Sequence, residues 1–155
     1  MTTNTAITDS SDMLPKVVGW LGYGGLLPFA FLALAAAIDE NHTFEWTYAL
    51  HAYGAIILSF VGALHWGFAM SLRDLGDKER EFAFVWSVLP ALIAWPALLI
   101  PQIVAAALLI SGFLANYLRD RHLARCVDLP AWYLPMRFRL TSVACVCLST
   151  GLILA

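Results

Sequence analysis

Two histidines raise the first chemical question. His51 and His65 lie fourteen residues apart within the apolar stretch 48–70 (YALHAYGAIILSFVGALHWGFAM). On a helix rising 1.5 Å and turning 100° per residue, they share one face and are roughly 21 Å apart along the axis. Imidazole can ligate haem iron, relay a proton or hydrogen-bond a carbonyl. Two haems stacked across a membrane would each need a second histidine on a facing helix. The remaining ones, His42 and His122, lie outside the apolar runs, so haem is not expected. His51 reads as an interfacial residue that ends near water. His65 lies roughly 7–8 Å in from Met70, where an ionisable group is expensive and normally faces a bundle interior or a wet cavity. A neutral His65 beside the flat wall of Trp66 would suit the carbonyl of a quinone or the head group of a lipid.

A second concentration of chemistry lies between Arg119 and Arg139. Five arginines occur there with Asp120 and with the run 129–140 (LPAWYLPMRFRL). Two prolines beside adjacent aromatics make a flexible linker unsuitable, and the run is expected to lie flat in the interface. Basic residues near an anionic leaflet contribute about 1 kcal/mol each, and Asp120 reads first as a salt-bridge partner for a neighbouring arginine. Together, His65, Trp66, Asp120, Trp132, Tyr133 and Arg137 form the candidate quinone- or lipid-binding set. No catalytic residue is assigned. The three cysteines show no CxxC or Cys/His ligand spacing, so neither a metal site nor a disulfide between Cys145 and Cys147, two apart on a helix, is expected.

The elements that must position these groups follow from composition. Of 155 residues, 61% are hydrophobic and 13% charged, against roughly 45–50% and about 25% in soluble domains. The chain is therefore expected to be an all-α integral membrane protein. A net charge of −2 gives no basic surplus for nucleic acid. Residues 1–16 are polar and acidic and read as a disordered tail, followed by a transmembrane domain over 17–155. Five apolar runs follow: 17–38, 48–70, 82–100, 102–118 and 140–155. About 20 residues span a bilayer core, so the last run is marginal and the third, carrying Pro90 and Pro96, is short or bent. Pro28 is expected to kink the first, where Gly19, Gly22 and Gly25 permit close helix approach. Lys16, the first run and Ala35–Ala37 loosely resemble a signal peptide, but the run exceeds the 7–15 residues of an h-region and the segment before it is acidic. An uncleaved span is expected, and a mitochondrial transit peptide is not.

Charge placement gives an orientation. With the N-terminus inside, five spans put all nine Lys and Arg on one side, and the connecting segment 39–47 on the other carries three acids and no base. The positive-inside rule then gives an N-in, C-out protein with a cytoplasmic N-terminus.

Three runs carry a family resemblance: YGAIILSFVGALHWG at 53–67, Pro-x-Trp-Tyr at 130–133 and Arg-x-Arg-Leu-Thr at 137–141. In these the chain resembles a family of unknown function, DUF3429, that includes mitochondrial transmembrane protein 69 and many proteobacterial inner-membrane proteins. The resemblance implies a small multi-pass protein of the bacterial inner membrane with no established biochemistry. Two functions are expected from different classes. The first is a non-enzymatic accessory protein that assembles or stabilises a larger, energy-transducing membrane complex, docking through small-residue faces of the first two helices. The alternative is a quinone- or phospholipid-binding protein using His65, Trp66 and the arginine-rich loop.

Overall fold

The computed structural model describes residues 13–154, and residues 1–12 of the expected tail lie outside the described residues. Among the described residues, regular structure is wholly helical: α1 (Lys16–Gly24), α2 (Leu26–Ile38), a 3₁₀ turn at Glu40–His42, α3 (Thr43–Ser71), α4 (Asp77–Ala97), α5 (Gln102–Cys126) and α6 (Tyr133–Leu154). The first apolar run is broken at Gly25. Pro28 lacks the N–H that would close a bond to the carbonyl of residue 24, and its ring crowds that carbonyl. The neighbouring Gly25 carbonyl accepts a hydrogen bond from Tyr53 Oη at 2.8 Å, which pins the break to α3.

The 29 residues of α3 give about 43 Å of helix, the thickness of a bilayer with its interfaces. Its stripe of His51, Ala55, Leu58, Gly62, His65 and Ala69 is buried along its whole length. Small residues decide how closely its neighbours approach. A Cβ on Gly62 would lie 2.5–3.0 Å from three ring atoms of Pro90, and one on Gly54 would lie 3.1 Å from Leu148. In turn, Leu58 fills the notch at Gly112 of α5. Phe29, Leu50, Leu58, Leu109, Phe113 and Leu148 form the apolar centre. Away from that stripe, Ile56 is exposed and Val61 is buried. Of the glycines expected to permit close helix approach in the first run, Gly22 is used within the chain, where a Cβ would meet Met136 of α6.

Four helical segments are long and apolar enough to cross a membrane: Lys16–Ile38, Glu40–Ser71, Gln102–Cys126 and Tyr133–Ile153. The run 82–100 is not among them, because its helix stops at Ala97 and opens with the charged sequence Asp77–Glu81. Nevertheless α4 packs along α3 from the C-terminal end of α3 past Gly62. At one end Arg80 donates to the carbonyls of Ala69 and Leu72 at 2.6 and 3.0 Å, capping the C-terminus of α3 where carbonyls have no helical partner, and to that of Leu75 in the connection beyond it at 3.1 Å. Between the ends, Pro90 meets Gly62. Beyond α4, Gln102 Nε2 donates to the Phe44 carbonyl at 2.9 Å, level with the first turn of α3.

The arginine-rich segment departs most from expectation. It is not a long loop lying flat in the interface: α5 continues through Cys126 and α6 begins at Tyr133, leaving only 127–132 between them. Arg, Leu and Ala at 119–125 sustain a helix after its apolar run has ended. Pro135 falls in the first turn of α6, where a missing N–H is tolerated. The last helix therefore has 22 residues rather than 16.

The Gly62–Pro90 contact gives a direct test. Gly62→Ala should lower stability by about 1–3 kcal/mol through overpacking against a rigid ring. Gly67→Ala, whose Cβ would meet no atom within 4 Å, should be neutral or stabilising by up to about 1 kcal/mol. Denaturant unfolding in mild detergent measures both.

Candidate functional site

Asp120 is the residue around which the basic end of the bundle is built. Extension of α5 past its apolar run carries this carboxylate inward, where it is 1% exposed. Tyr133 Oη donates to Oδ1 at 3.0 Å and Arg137 Nε donates to Oδ2 at 2.7 Å. Tyr133 and Arg137 are four apart on α6, and so lie on one face. From α3, His65 Nε2 approaches Oδ1 to 3.4 Å, within ion-pair distance but without hydrogen-bond alignment. Phe68 stands edge-on to both His65 and Tyr133, with centroids 5.9 and 5.7 Å away, and adds an apolar flank to the cluster.

Arg119 points elsewhere. Its Nη2 donates to Glu79 Oε2 at 3.0 Å and its guanidinium lies 4.4 Å from the centre of the Phe82 ring, tying α5 to α4. Glu79 also meets His122 Nε2 at 3.4 Å through Oε1. The hydrogen bond from Arg119, with a smaller contribution from His122, holds the Glu79 carboxyl below the usual glutamate range. Cys126 Sγ lies 3.7 Å from His122 Nε2. One turn before Asp120, the buried Asn116 accepts a hydrogen bond from Trp86 Nε1 at 3.0 Å.

Beside the Asp120 cluster runs an apolar cleft of about 340 Å³ between the α1–α2 break, α3 and α6. Val18, Leu21 and Leu26 line one side, Ile57, Phe60 and Leu64 another, and Leu140 and Ala144 a third, with Phe29 and Phe113 deeper in. Its polar lining is confined to α6 and the residue before it: Trp132, Tyr133, Arg137 and Thr141. Arg137 Nη2 and Thr141 Oγ1 are buried without a hydrogen-bond partner among the described residues. A buried donor left unmade costs about 1–3 kcal/mol, more when charged. Both donors belong to residues lining the same cleft, one helical turn apart. Arg139 Nη1 donates to Tyr23 Oη at 3.2 Å, joining α6 to α1.

The structure thus sorts the six sequence candidates. His65, Asp120, Tyr133 and Arg137 converge, and Trp132 joins Tyr133 and Arg137 at the cleft. Trp66 does not belong to the set: it is 50% exposed and packs edge-on against Phe84 of α4 at 4.9 Å. Adjacent residues on a helix point about 100° apart, so burying His65 turns Trp66 outward. His65 itself is fully buried behind Asp120 and does not line the cleft. Nor does His51 end near water: it is 1% exposed, and a Cβ on Gly151 would lie 2.6 Å from its Nε2. Thr141 and the Glu79, His122 and Cys126 cluster escaped the sequence reading. The usable signal was helical phase, since His122 and Cys126 share a face once α5 is known to reach them.

Asp120→Asn should be the most damaging conservative change in the chain, lowering stability by about 3–5 kcal/mol because Arg137 is left as a buried, uncompensated charge. Glu79→Gln, at a partly exposed pair, should cost far less. With its carboxyl held low, the Glu79–Arg119 tie should be intact above the ordinary glutamate range and be lost as pH falls through the depressed value. Unfolding of both variants, and of wild type on acidification, tests this order.

The matching family model, described as protein of unknown function (DUF3429), covers residues 14–153. The chain is 37% identical over 141 residues to Transmembrane protein 69 of Xenopus tropicalis, covering 90% of this chain and 54% of that protein. It is 26% identical over 140 residues to Transmembrane protein 69 of Mus musculus, covering 90% and 57% respectively. The chain thus spans about half the length of these curated relatives. No solved structure matches it. With the family model running from before α1 almost to the end of α6, the chain belongs to the DUF3429 family, which includes relatives named Transmembrane protein 69.

Proposed function

We propose that this is a non-enzymatic inner-membrane protein that binds a membrane amphiphile in the α1–α2/α3/α6 cleft, with an acceptor oxygen held by Arg137 and Thr141. One observation carries the reading: two residues that line the polar part of an otherwise apolar cleft, Arg137 and Thr141, each carry a buried donor without a partner among the described residues. Ligand sites are typically apolar cavities of about 300–1,000 Å³ with a few polar groups that fix orientation. Because Asp120 already balances the charge of Arg137 at 2.7 Å, the donors favour a neutral carbonyl over a phosphate. A quinone and the ester of a phospholipid both offer one.

Five crossings with the N-terminus inside complete the proposal. Supporting them, the contacts of α4 run from Ala69 past Gly62, and Gln102 just beyond it reaches Phe44. An even number would divide the arginines between two sides. The first expectation, an accessory protein of a larger complex docking through small-residue faces, has less support here, since Gly22, Gly54 and Gly62 are engaged within the chain.

Purification in native-lipid particles, followed by extraction and mass spectrometry, tests the binding reading. Wild type should retain a quinone or a phospholipid through detergent exchange, and the identity of the retained species distinguishes the two. Thr141→Val removes one donor without changing volume and should weaken retention by about 1 kcal/mol, roughly fivefold. Arg137→Lys, which preserves the charge beside Asp120 but withdraws the guanidinium fork, should weaken it further. A wild type that retains no amphiphile, or retention unchanged in both variants, would overturn the proposal.

A further inference from the structure

Away from the cleft, where α4 and α5 meet at the basic end, three side chains with metal-ligating atoms face one another. Glu79 Oε1, His122 Nε2 and Cys126 Sγ all lie within 4.8 Å of each other. Their arrangement follows from helical geometry: His122 and Cys126 are four apart on α5 and present their donors from one face, while Glu79 reaches across from the first turn of α4. The separations are 3.4 Å between the histidine nitrogen and the carboxylate oxygen, and 3.7 Å between that nitrogen and the sulfur. Zinc binds nitrogen and oxygen at about 2.0–2.2 Å and sulfur at about 2.3 Å. At the tetrahedral angle those bond lengths place N and O about 3.3 Å apart, and N and S about 3.6 Å apart. Two edges of a coordination polyhedron are therefore already set to within about 0.1 Å, and rotation of exposed side chains can bring in the third.

The surroundings complete the arrangement. Arg119 donates to the other carboxylate oxygen, Oε2, at 3.0 Å, fixing the carboxylate plane and leaving Oε1 toward the histidine and cysteine. Hydrogen bonds of this kind orient metal ligands from outside the coordination sphere. The C-terminal end of α5 carries the negative pole of its dipole, which favours a cation there. His122 and Cys126 are exposed, so an ion can enter from the aqueous side and keep a water in the fourth position.

From these positions we infer that Glu79, His122 and Cys126 form a three-ligand site for a borderline-soft divalent ion of the zinc type, which joins α4 to α5 at the basic end of the bundle. One thiolate, one imidazole and one carboxylate suit zinc or cobalt rather than magnesium or calcium, which take oxygen ligands.

Cobalt titration of tag-free, reduced, full-length protein in detergent micelles tests the site. One equivalent of Co²⁺ should produce a thiolate-to-cobalt charge-transfer band in the near ultraviolet, which an equivalent of Zn²⁺ removes. Cys126→Ser should abolish the band, while the double change Cys145→Ser and Cys147→Ser should leave it intact. His122→Gln should lower Co²⁺ affinity by at least the roughly 10–100-fold that outer-sphere partners contribute. Zn²⁺ should raise the unfolding midpoint of wild type but not that of His122→Gln or Cys126→Ser; both substituted positions are exposed, and both variants should keep the wild-type circular dichroism spectrum. Absence of the band in wild type, its persistence in Cys126→Ser, or equal zinc stabilisation of wild type and both variants would overturn the assignment.

Discussion

A carboxylate buried within a membrane bundle must find compensating charge and donors, and Asp120 imposes that requirement on three helices at once. Its oxygens draw Tyr133 and Arg137 of α6 inward, and His65 of α3 faces it at 3.4 Å. Removing a carboxylate from water costs several kcal/mol, which only a well-aligned partner and additional hydrogen bonds can offset. The first turns of α6 are thereby held against α5. Arg137, committed to Asp120 through Nε, leaves Nη2 buried without a partner among the described residues. A donor spare in this sense is a consequence of how the ion pair is built, and it belongs to a residue that lines the cleft.

The other side of the cleft is shaped by the break at Gly25. Leu26, Phe29 and their neighbours on α2 reach the core, whereas α1 has no buried residue. Pro28 makes a continuous first helix unfavourable, and the Tyr53 hydrogen bond anchors the break to α3. The cleft lies between this broken helix, α3 and α6, with Arg139 and Tyr23 joining α6 to α1. Backbone chemistry at Gly25 and Pro28 and electrostatics at Asp120 therefore shape different walls of one cavity. Neither feature alone would give an apolar groove with donors on one side.

Much of this was legible in the sequence. Composition and run length gave the all-helical membrane class, and the 3.6-residue period gave the buried stripe of α3, from His51 to Ala69. The break near Pro28 and the start of α5 after Pro101 follow from what proline cannot do. The ends of α5 and α6 were not legible, because apolar runs mark where lipid begins and ends, whereas helices continue wherever backbone bonds can be satisfied. Taking Arg119–Arg139 as a loop hid the four-residue phase of Tyr133 with Arg137 and of His122 with Cys126. Trp66 was misplaced for a different reason: adjacency in sequence suggested adjacency in the site, but neighbouring helical residues diverge by about 100°. Glu79 and Thr141 could not be found from local pattern at all, since their meaning depends on which helix packs opposite.

An experimental density map of the protein in native-lipid particles addresses the central claim, that the Asp120 ion pair leaves donors for an amphiphile, more directly than any other measurement. Elongated density is expected in the cleft, with one end within hydrogen-bond distance of Arg137 Nη2 and Thr141 Oγ1. Density absent from the cleft, or both donors satisfied by groups of the chain itself, would contradict it.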